Sequence, residues 1–247
     1  MYSIHRWCRI DRNGCVNCGG RSFEQAQVIP NELARTWELS HRERVWFDER
    51  EGHFCQNCRM SKRVRMLLWS VRKIYGELKS LNVLHLNQIN DLNQALSRAR
   101  QLVETAYYPE KELGAAINGF SNQDMTHLTF SNNCFDLVIH SETLEHLHDY
   151  EDALIEAKRV LKPGGYQVYS VPLLHDRQTR RRITKDTVGN FIPLLPLSTH
   201  GLEGEYPVVW EFGGDFIKQR REQILEIDYD NYWKNKTVFT IVERKEQ

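Results

Sequence analysis

The chain has 247 residues, 40% hydrophobic and 27% charged, with 33 Lys/Arg balancing 33 Asp/Glu. That make-up suits one folded domain with a small appendage and excludes collagen-like, fibrous or wholly disordered chains. No apolar run approaches the roughly 18 residues of a membrane span, and the start MYSIHRWCRIDRNG lacks the apolar block of a secretion signal, so a cytoplasmic protein with no membrane partner is expected.

Charge is uneven along the chain: residues 1–80 hold 15 Lys/Arg against 9 Asp/Glu, and the remainder carries the compensating acidic excess. So modest an imbalance favours a solvated basic face over a nucleic-acid surface.

Four of the six cysteines form two C-x-x-C pairs, Cys15/Cys18 and Cys55/Cys58, with 36 residues between them. In a chain without an export signal this pattern is expected to be a structural zinc site, because each tight turn aims two thiolates at one ion. Four thiolates fill a tetrahedral shell and leave no open position for a catalytic water. A redox pair is the alternative, but the strand–pair–helix context it needs is missing. Cys8 and Cys134 have no obvious partner; Cys134 is expected as a small buried side chain. Gly19-Gly20 lets the backbone turn back after the first pair, and the second pair leads into a helix from about Met60 to Lys79 with its apolar stripe at Val64, Leu67, Leu68, Val71, Ile74, Tyr75 and Leu78. This is a treble-clef arrangement. Between the pairs, Pro30 and the following residues predict one helix from Asn31 to about Asp48. Residues 1–79 are thus read as a zinc-binding α+β lobe with a connecting helix, and 80–247 as a second domain.

From Leu81 onward short apolar runs alternate with helical stretches. Strands are expected at Val83–Leu86, Leu102–Glu104, near Ala115–Gly119, at Phe135–Ile139 and at Tyr166–Val171, with helices at Leu92–Arg100 and Tyr150–Leu161. Such alternation implies crossover connections and a mostly parallel sheet covered on both faces, with ligands at the carboxyl ends of its strands. A further helix runs from Phe212 to about Gln223, and Ile224–Tyr229 and Thr237–Val242 are expected as a closing antiparallel pair.

The stretch from Phe130 to Pro172, FSNNCFDLVIHSETLEHLHDYEDALIEAKRVLKPGGYQVYSVP, carries several independent elements in order. It closely resembles the motif region of class I S-adenosylmethionine-dependent methyltransferases, with their F-D-x-V strand, L-E-H turn and R-V-L-K-P-G-G turn, and the whole arrangement looks like the type 11 group. The resemblance implies a Rossmann-like seven-stranded sheet flanked by helices, S-adenosylmethionine as cofactor, and methyl transfer by in-line displacement. It departs from the family after the first strand: Leu86-Asn87-Gln88-Ile89-Asn90-Asp91 stands where a G-x-G loop is usual, and no glycine lies between Gly76 and Gly114. Loss of those glycines implies an altered pocket, with Asn87 and Asn90 able to supply left-handed backbone in their place.

By the same resemblance, Leu86 and Asn87 line the amino-acid end of the cofactor, Glu104 faces the ribose hydroxyls, Gln123 and Asp124 lie at the adenine, and His140 and Ser141 sit over the methyl-donor end. A surface role for Glu104 and a loop-capping role for Asp124 are the alternatives. Glu142, Glu145 and His146 share a face if 142–146 is helical, which suits either a divalent-cation cluster or a lining of the active site. His146 is the preferred base, backed by Glu145, with Asp176 as a second acceptor-side candidate. The basic run His175–Arg182 could clamp an anionic acceptor or be solvated. Three functions follow: a methyltransferase for a small-molecule or glycan-type acceptor, a non-catalytic zinc-bearing interaction module that keeps the fold, and an RNA methyltransferase, motivated only by zinc and the basic first third.

Overall fold

A computed structural model describes residues 13–87, 90–200, 206–220, 224–228 and 240–246. Cys8, Gln88, Ile89, and the predicted ends of the last helix and last two strands lie outside them.

The strands in chain order are β1 Phe23–Gln25, β2 His53–Cys55, β3 Asn82–Leu86, β4 Gln101–Ala106, β5 Ala116–Ile117, β6 Phe120–Asn122, β7 Phe135–Ser141, β8 Leu161–Ser170, β9 Leu173–Leu174, β10 Arg180–Arg181, β11 Ile183–Lys185, β12 Phe191–Pro193, β13 Thr199–His200, β14 Tyr206–Pro207, β15 Trp210–Gly213, β16 Ile224–Asp228 and β17 Thr240–Arg244. The helices are α1 Asn31–Thr36, α2 His41–Gly52, α3 Lys62–Tyr75, α4 Asn90–Leu96, α5 Tyr150–Val160 and α6 Gly214–Gln219, with one 3-10 turn at Leu144–His146.

The main sheet has the order β16-β17-β8-β7-β3-β4-β6-β5. Pairs β8/β7, β7/β3, β3/β4 and β4/β6 are parallel, whereas β17 joins β8 antiparallel and β16 joins β17 antiparallel. These seven strands are the Rossmann-like arrangement expected; the two-residue β5 adds a hairpin at one edge. The strand expected near Ala115–Gly119 is β5, but the one that joins the parallel order is β6 at Phe120–Asn122, after Asn118 and Gly119 turn the chain at positive φ.

Two buried clusters cover the two faces of the sheet, and both draw on the first third of the chain. One joins Trp37, Trp46 and Phe47 to Leu84, Leu86, Val138, Leu154 and Tyr169; the other joins Met60, Val64, Leu67, Leu68 and Val71 to Val83, Leu137, Ile139 and Val168. The α3 stripe read from its spacing is therefore the surface laid on the sheet. Ser61 caps α3 through its Oγ, which accepts from Val64 N–H, and Gly76 at φ +67 ends it, so the helix is shorter than Met60–Lys79.

The single helix expected over Asn31–Asp48 is two. Glu38 sits at φ +52, and Ser40 opens α2 with a capping box: Glu43 N–H donates to Ser40 Oγ and Ser40 N–H donates to Glu43 Oε2 at 2.8 Å. Satisfying the orphan donors of a second helix start outweighs continuing the first. The last helix likewise begins later than Phe212, because 210–213 pairs as β15 with β9 and β10.

Candidate functional site

The four ligand-type cysteines come together. Sγ–Sγ separations are 3.6 Å for both Cys15–Cys58 and Cys18–Cys55, and all four sulfurs lie within 4.8 Å of one another. A tetrahedral zinc with sulfurs at about 2.3 Å separates them by roughly 3.8 Å, so the set fits that ion. Each knuckle is a backbone turn: Gly19 N–H donates to Cys15 O and Arg59 N–H to Cys55 O, both at 2.8 Å. Gly20 lies against the sulfurs; a Cβ there would stand 3.3 Å from the Sγ of both Cys18 and Cys55. Cys134 is half-buried, its thiol donating to Ser131 O at 2.8 Å.

In the main sheet, chain connections run in opposite directions from the adjacent strands β3 and β7, which makes their carboxyl ends the switch point of the topology. Asn87 follows β3 at φ +66, the left-handed backbone expected of it. Its Nδ2 donates to Thr143 Oγ1 over 3.2 Å, spanning from the end of β3 to the loop after β7. Leu86 is buried at the strand end.

Glu104 lies within β4 rather than at its end; one carboxylate oxygen is buried without a hydrogen-bond partner among the described residues, and desolvation raises its pKa. Asp124 is half-buried and caps its own turn, with Oδ1 accepting from Thr126 N–H at 2.8 Å and Oγ1–H at 2.7 Å. Gln123 is committed to the same loop, donating to Ser121 Oγ and Thr129 Oγ1 and accepting from Thr129 N–H.

His140 does not sit over the crevice. It is fully buried in the sheet face, stacked on Tyr169 at a ring distance of 4.8 Å and 2.9 Å from the Gln167 amide, and burial together with the nearby His85 brings its pKa down to about 3. Strand alternation explains the difference: β7 continues through Ser141, so His140 is still an inward-facing strand residue. Ser141, one residue on, is at the strand end, its Oγ shared with Ser170 Oγ at 2.6 Å and contacted by the Arg63 guanidinium.

Residues 142–146 are not one helical face. Glu142 takes φ +50, and only 144–146 form a 3-10 turn. Glu142 receives both Arg50 nitrogens, Nη1 at 2.7 Å and Nη2 at 2.5 Å, plus the Ser170 hydroxyl at 3.0 Å. Burial alone would raise its pKa, but the Arg50 charge and hydrogen bonds, with Arg63 and Ser170, outweigh it and bring it to about 2. Glu145 is wholly buried, and desolvation plus the Glu142 charge push it well above the ordinary carboxylate range. Among the described residues the four cysteines are the one cluster with metal-ligand geometry, so Glu142, Glu145 and His146 do not assemble into a ligand set.

His146 Nδ1 lies 2.9 Å from Pro207 O, and Nε2 lies 3.7 Å from Glu145 Oε1. A carbonyl only accepts, so Nδ1 carries the proton; burial lowers the ring's pKa despite that bond, which favours the neutral imidazole. Asp176 is elsewhere: its side chain is 77% exposed and 3.9 Å from Arg42.

The basic run is neither clamp nor solvated loop. Arg177 donates to Glu43, Trp37 O and Glu38 O; Arg180 and the buried Arg182 share Glu211; Arg181 reaches His148. These arginines bind residues 177–182 to the first third of the chain, to Glu211 and to His148.

Residues 84–169, from β3 to β8, match the Methyltransf_11 family, described as a methyltransferase domain. The matched segment is of methyltransferase type. No curated protein matches the chain. Solved structures resemble it in fold. The 1,6-didemethyltoxoflavin-N1-methyltransferase of Burkholderia thailandensis, with 1,6-didemethyltoxoflavin and S-adenosylhomocysteine bound, is 16% identical over 91% of this chain and 93% of its own, at a TM-score of 0.48. The N-methyltransferase NodS of Bradyrhizobium japonicum, in complex with S-adenosylhomocysteine, is 12% identical over 84% of this chain and 100% of its own, at 0.45. A Bacillus halodurans protein provisionally assigned as a methyltransferase is 17% identical over 49% of this chain, at 0.33; this chain spans half of its length. At such identities and scores nothing about substrate follows.

Sequence reasoning missed Arg50, Arg63, Thr143 and Ser170. Their contacts join residues 92, 78, 56 and 28 positions apart, and no local spacing signals such pairs.

Proposed function

We propose that the chain is an S-adenosylmethionine-dependent methyltransferase acting on a small-molecule or glycan-type acceptor, with His146 as base and a structural zinc on the four cysteines. The observation that carries the reaction class is the methyltransferase-domain match over 84–169, which spans the strands whose carboxyl ends form the switch-point crevice. The unpaired buried oxygen of Glu104 suits a ribose hydroxyl, and the left-handed Asn87 restores the turn that glycine usually makes. Bound there, the cofactor would supply an electrophilic methyl on a sulfonium.

The protein's own task is then alignment and one proton transfer. An acceptor hydroxyl or amine attacks in line as the methyl–sulfur bond breaks, and its proton passes to His146 Nε2. Glu145 is wholly buried and lies 3.7 Å from that same Nε2, where it supports the imidazole as a positioning residue. Tyr206, with its ring 5.8 Å from that of His146, flanks the approach.

Calorimetric titration of the zinc-loaded protein with S-adenosylhomocysteine tests the reading. One site is expected, weakened by Asp124→Ala and by Glu104→Gln. Absence of binding by well-folded, metal-loaded protein would overturn it in favour of a non-catalytic interaction module.

A further inference from the structure

The second cysteine pair is flanked symmetrically by arginine: Arg50 stands five positions before Cys55 and Arg63 five positions after Cys58. The knuckle between them turns the chain from the end of α2 through β2 into the start of α3. Two ion pairs tie these helix ends together across the turn. Glu49 and Lys62 approach to 2.6 Å, and Glu51 accepts from Arg63 Nε at 2.9 and 2.8 Å while lying 3.1 Å from Arg50 Nη1. Both guanidinium groups are thereby pre-aimed by the fold of the cysteine lobe.

Their targets are the last residue of β7 and the first residue after it. Arg63 Nη1 donates to Ser141 Oγ; Arg50 donates twice to Glu142 and once, at 3.2 Å, to Val171 O beyond the end of β8. Glu142 is held at φ +50, backbone that a non-glycine residue rarely adopts. Next in the chain is Thr143, which meets Asn87 across the switch point. The segment 141–143, at the carboxyl end of β7 beside the switch point, is therefore held by two arginines delivered from the lobe, with Glu142 at positive φ.

We propose that Arg50 and Arg63 are positioning residues of the methyl-donor site, so that the cysteine lobe is a working part of that site and not a separate recruitment module. This rests on the methyl-donor reading above. Arg50 is 1% exposed in its side chain and Arg63 17%, so Arg50 acts wholly through Glu142 and Val171. Without them, segment 141–143 relaxes away from positive φ and the carboxyl end of β7 moves. Displacements of about 1 Å at a binding constellation are enough to cost one to two orders of magnitude.

The test is S-adenosylhomocysteine affinity of the zinc-loaded full chain, measured with thermal midpoint and metal content for each variant. Arg63→Gln and Arg50→Lys are expected to weaken binding about tenfold or more while retaining one metal per chain. Should either fold poorly, Glu51→Gln loosens Arg63 without touching the guanidinium, and the same direction is expected. Arg177→Gln removes a comparable set of bonds to the lobe, none of them to residues 141–143, and should leave affinity unchanged. Equal affinity in folded Arg63, Arg50 and Glu51 variants overturns the proposal while leaving the methyl-donor reading intact. Equal weakening by Arg177→Gln also overturns it, since the effect would then be general loosening. Failure of the unaltered protein to bind overturns the methyl-donor reading itself and the proposal with it.

Discussion

Asn87 Nδ2 donates to Thr143 Oγ1 over 3.2 Å, so one asparagine both makes the turn after β3 and ties that turn to the loop after β7. The two roles separate by substitution. Asn87→Gly keeps the φ of +66 and removes only the exposed tie, so S-adenosylhomocysteine affinity should be unchanged or raised. Asn87→Val puts a β-branched residue at positive φ, with an expected loss of about 1–2 kcal/mol of stability and weaker binding. Calorimetry and thermal denaturation of the two variants check this; loss of binding in the glycine variant would mean the amide itself contacts the ligand.

Metal removal should act on the whole fold, because the helices that flank the second cysteine pair bury Trp46, Phe47 and Leu67 in the two cores of the main sheet. Structural zinc can supply on the order of 10 kcal/mol of folding free energy. Elemental analysis is expected to find about one zinc per chain by the four-ligand rule. Chelation or Cys55→Ser should lower the thermal midpoint steeply. Zinc-free protein with an unchanged midpoint would refute a structural ion.

The Glu142/Glu145 pair sets a pH dependence with two opposite signs. Glu142 is depressed to about 2, so its stabilisation is present above the unfolded value of about 4.3 and is lost as pH falls towards 2. Glu145 is raised by burial and by its neighbour, so its contribution is full below about 4.3 and is lost as pH climbs through the raised value. Glu145→Gln should therefore be stabilising relative to the unaltered protein at about pH 7.5 and lose that advantage near pH 4. Urea denaturation at both values reads the crossing; a pH-independent difference would show that Glu145 is ionised in the fold.

Arg182 and Glu211 are both almost fully buried and paired, with Arg182 also reaching Pro196 O. Removing one partner strands the other charge. Arg182→Ala or Glu211→Ala is expected to cost about 3–5 kcal/mol, whereas the double change Arg182→Met with Glu211→Leu should cost far less. Chemical denaturation of the three variants makes the comparison; additive losses would argue against a coupled pair.

Local patterns in the chain were legible wherever the cause was itself local. The α3 stripe, the helix that starts at Tyr150 and the left-handed Asn87 each follow from residues within one or two turns of the chain, whereas K-P-G-G, read as a turn, lies within β8. Ser40-x-x-Glu43 was equally local, and its capping box divides the region read as one helix. His140 was misplaced by a single strand residue, which is enough to turn a side chain from the strand end into the sheet.

The amino-acid sequence by itself determined the four-cysteine ligand set, the alternating strands and helices of the mostly parallel sheet, and the methyltransferase-type motif region, because ligand spacing, hydrophobic period and turn chemistry are short-range properties. Only the tertiary structure decided that the arginines of the basic run are consumed in contacts within the protein, that Glu142 and Glu145 are driven to opposite protonation preferences, and that Arg50 and Arg63 reach the carboxyl end of β7. A guanidinium finds its carboxylate through burial and proximity in space, and neither is written in the order of residues until the chain has closed around them.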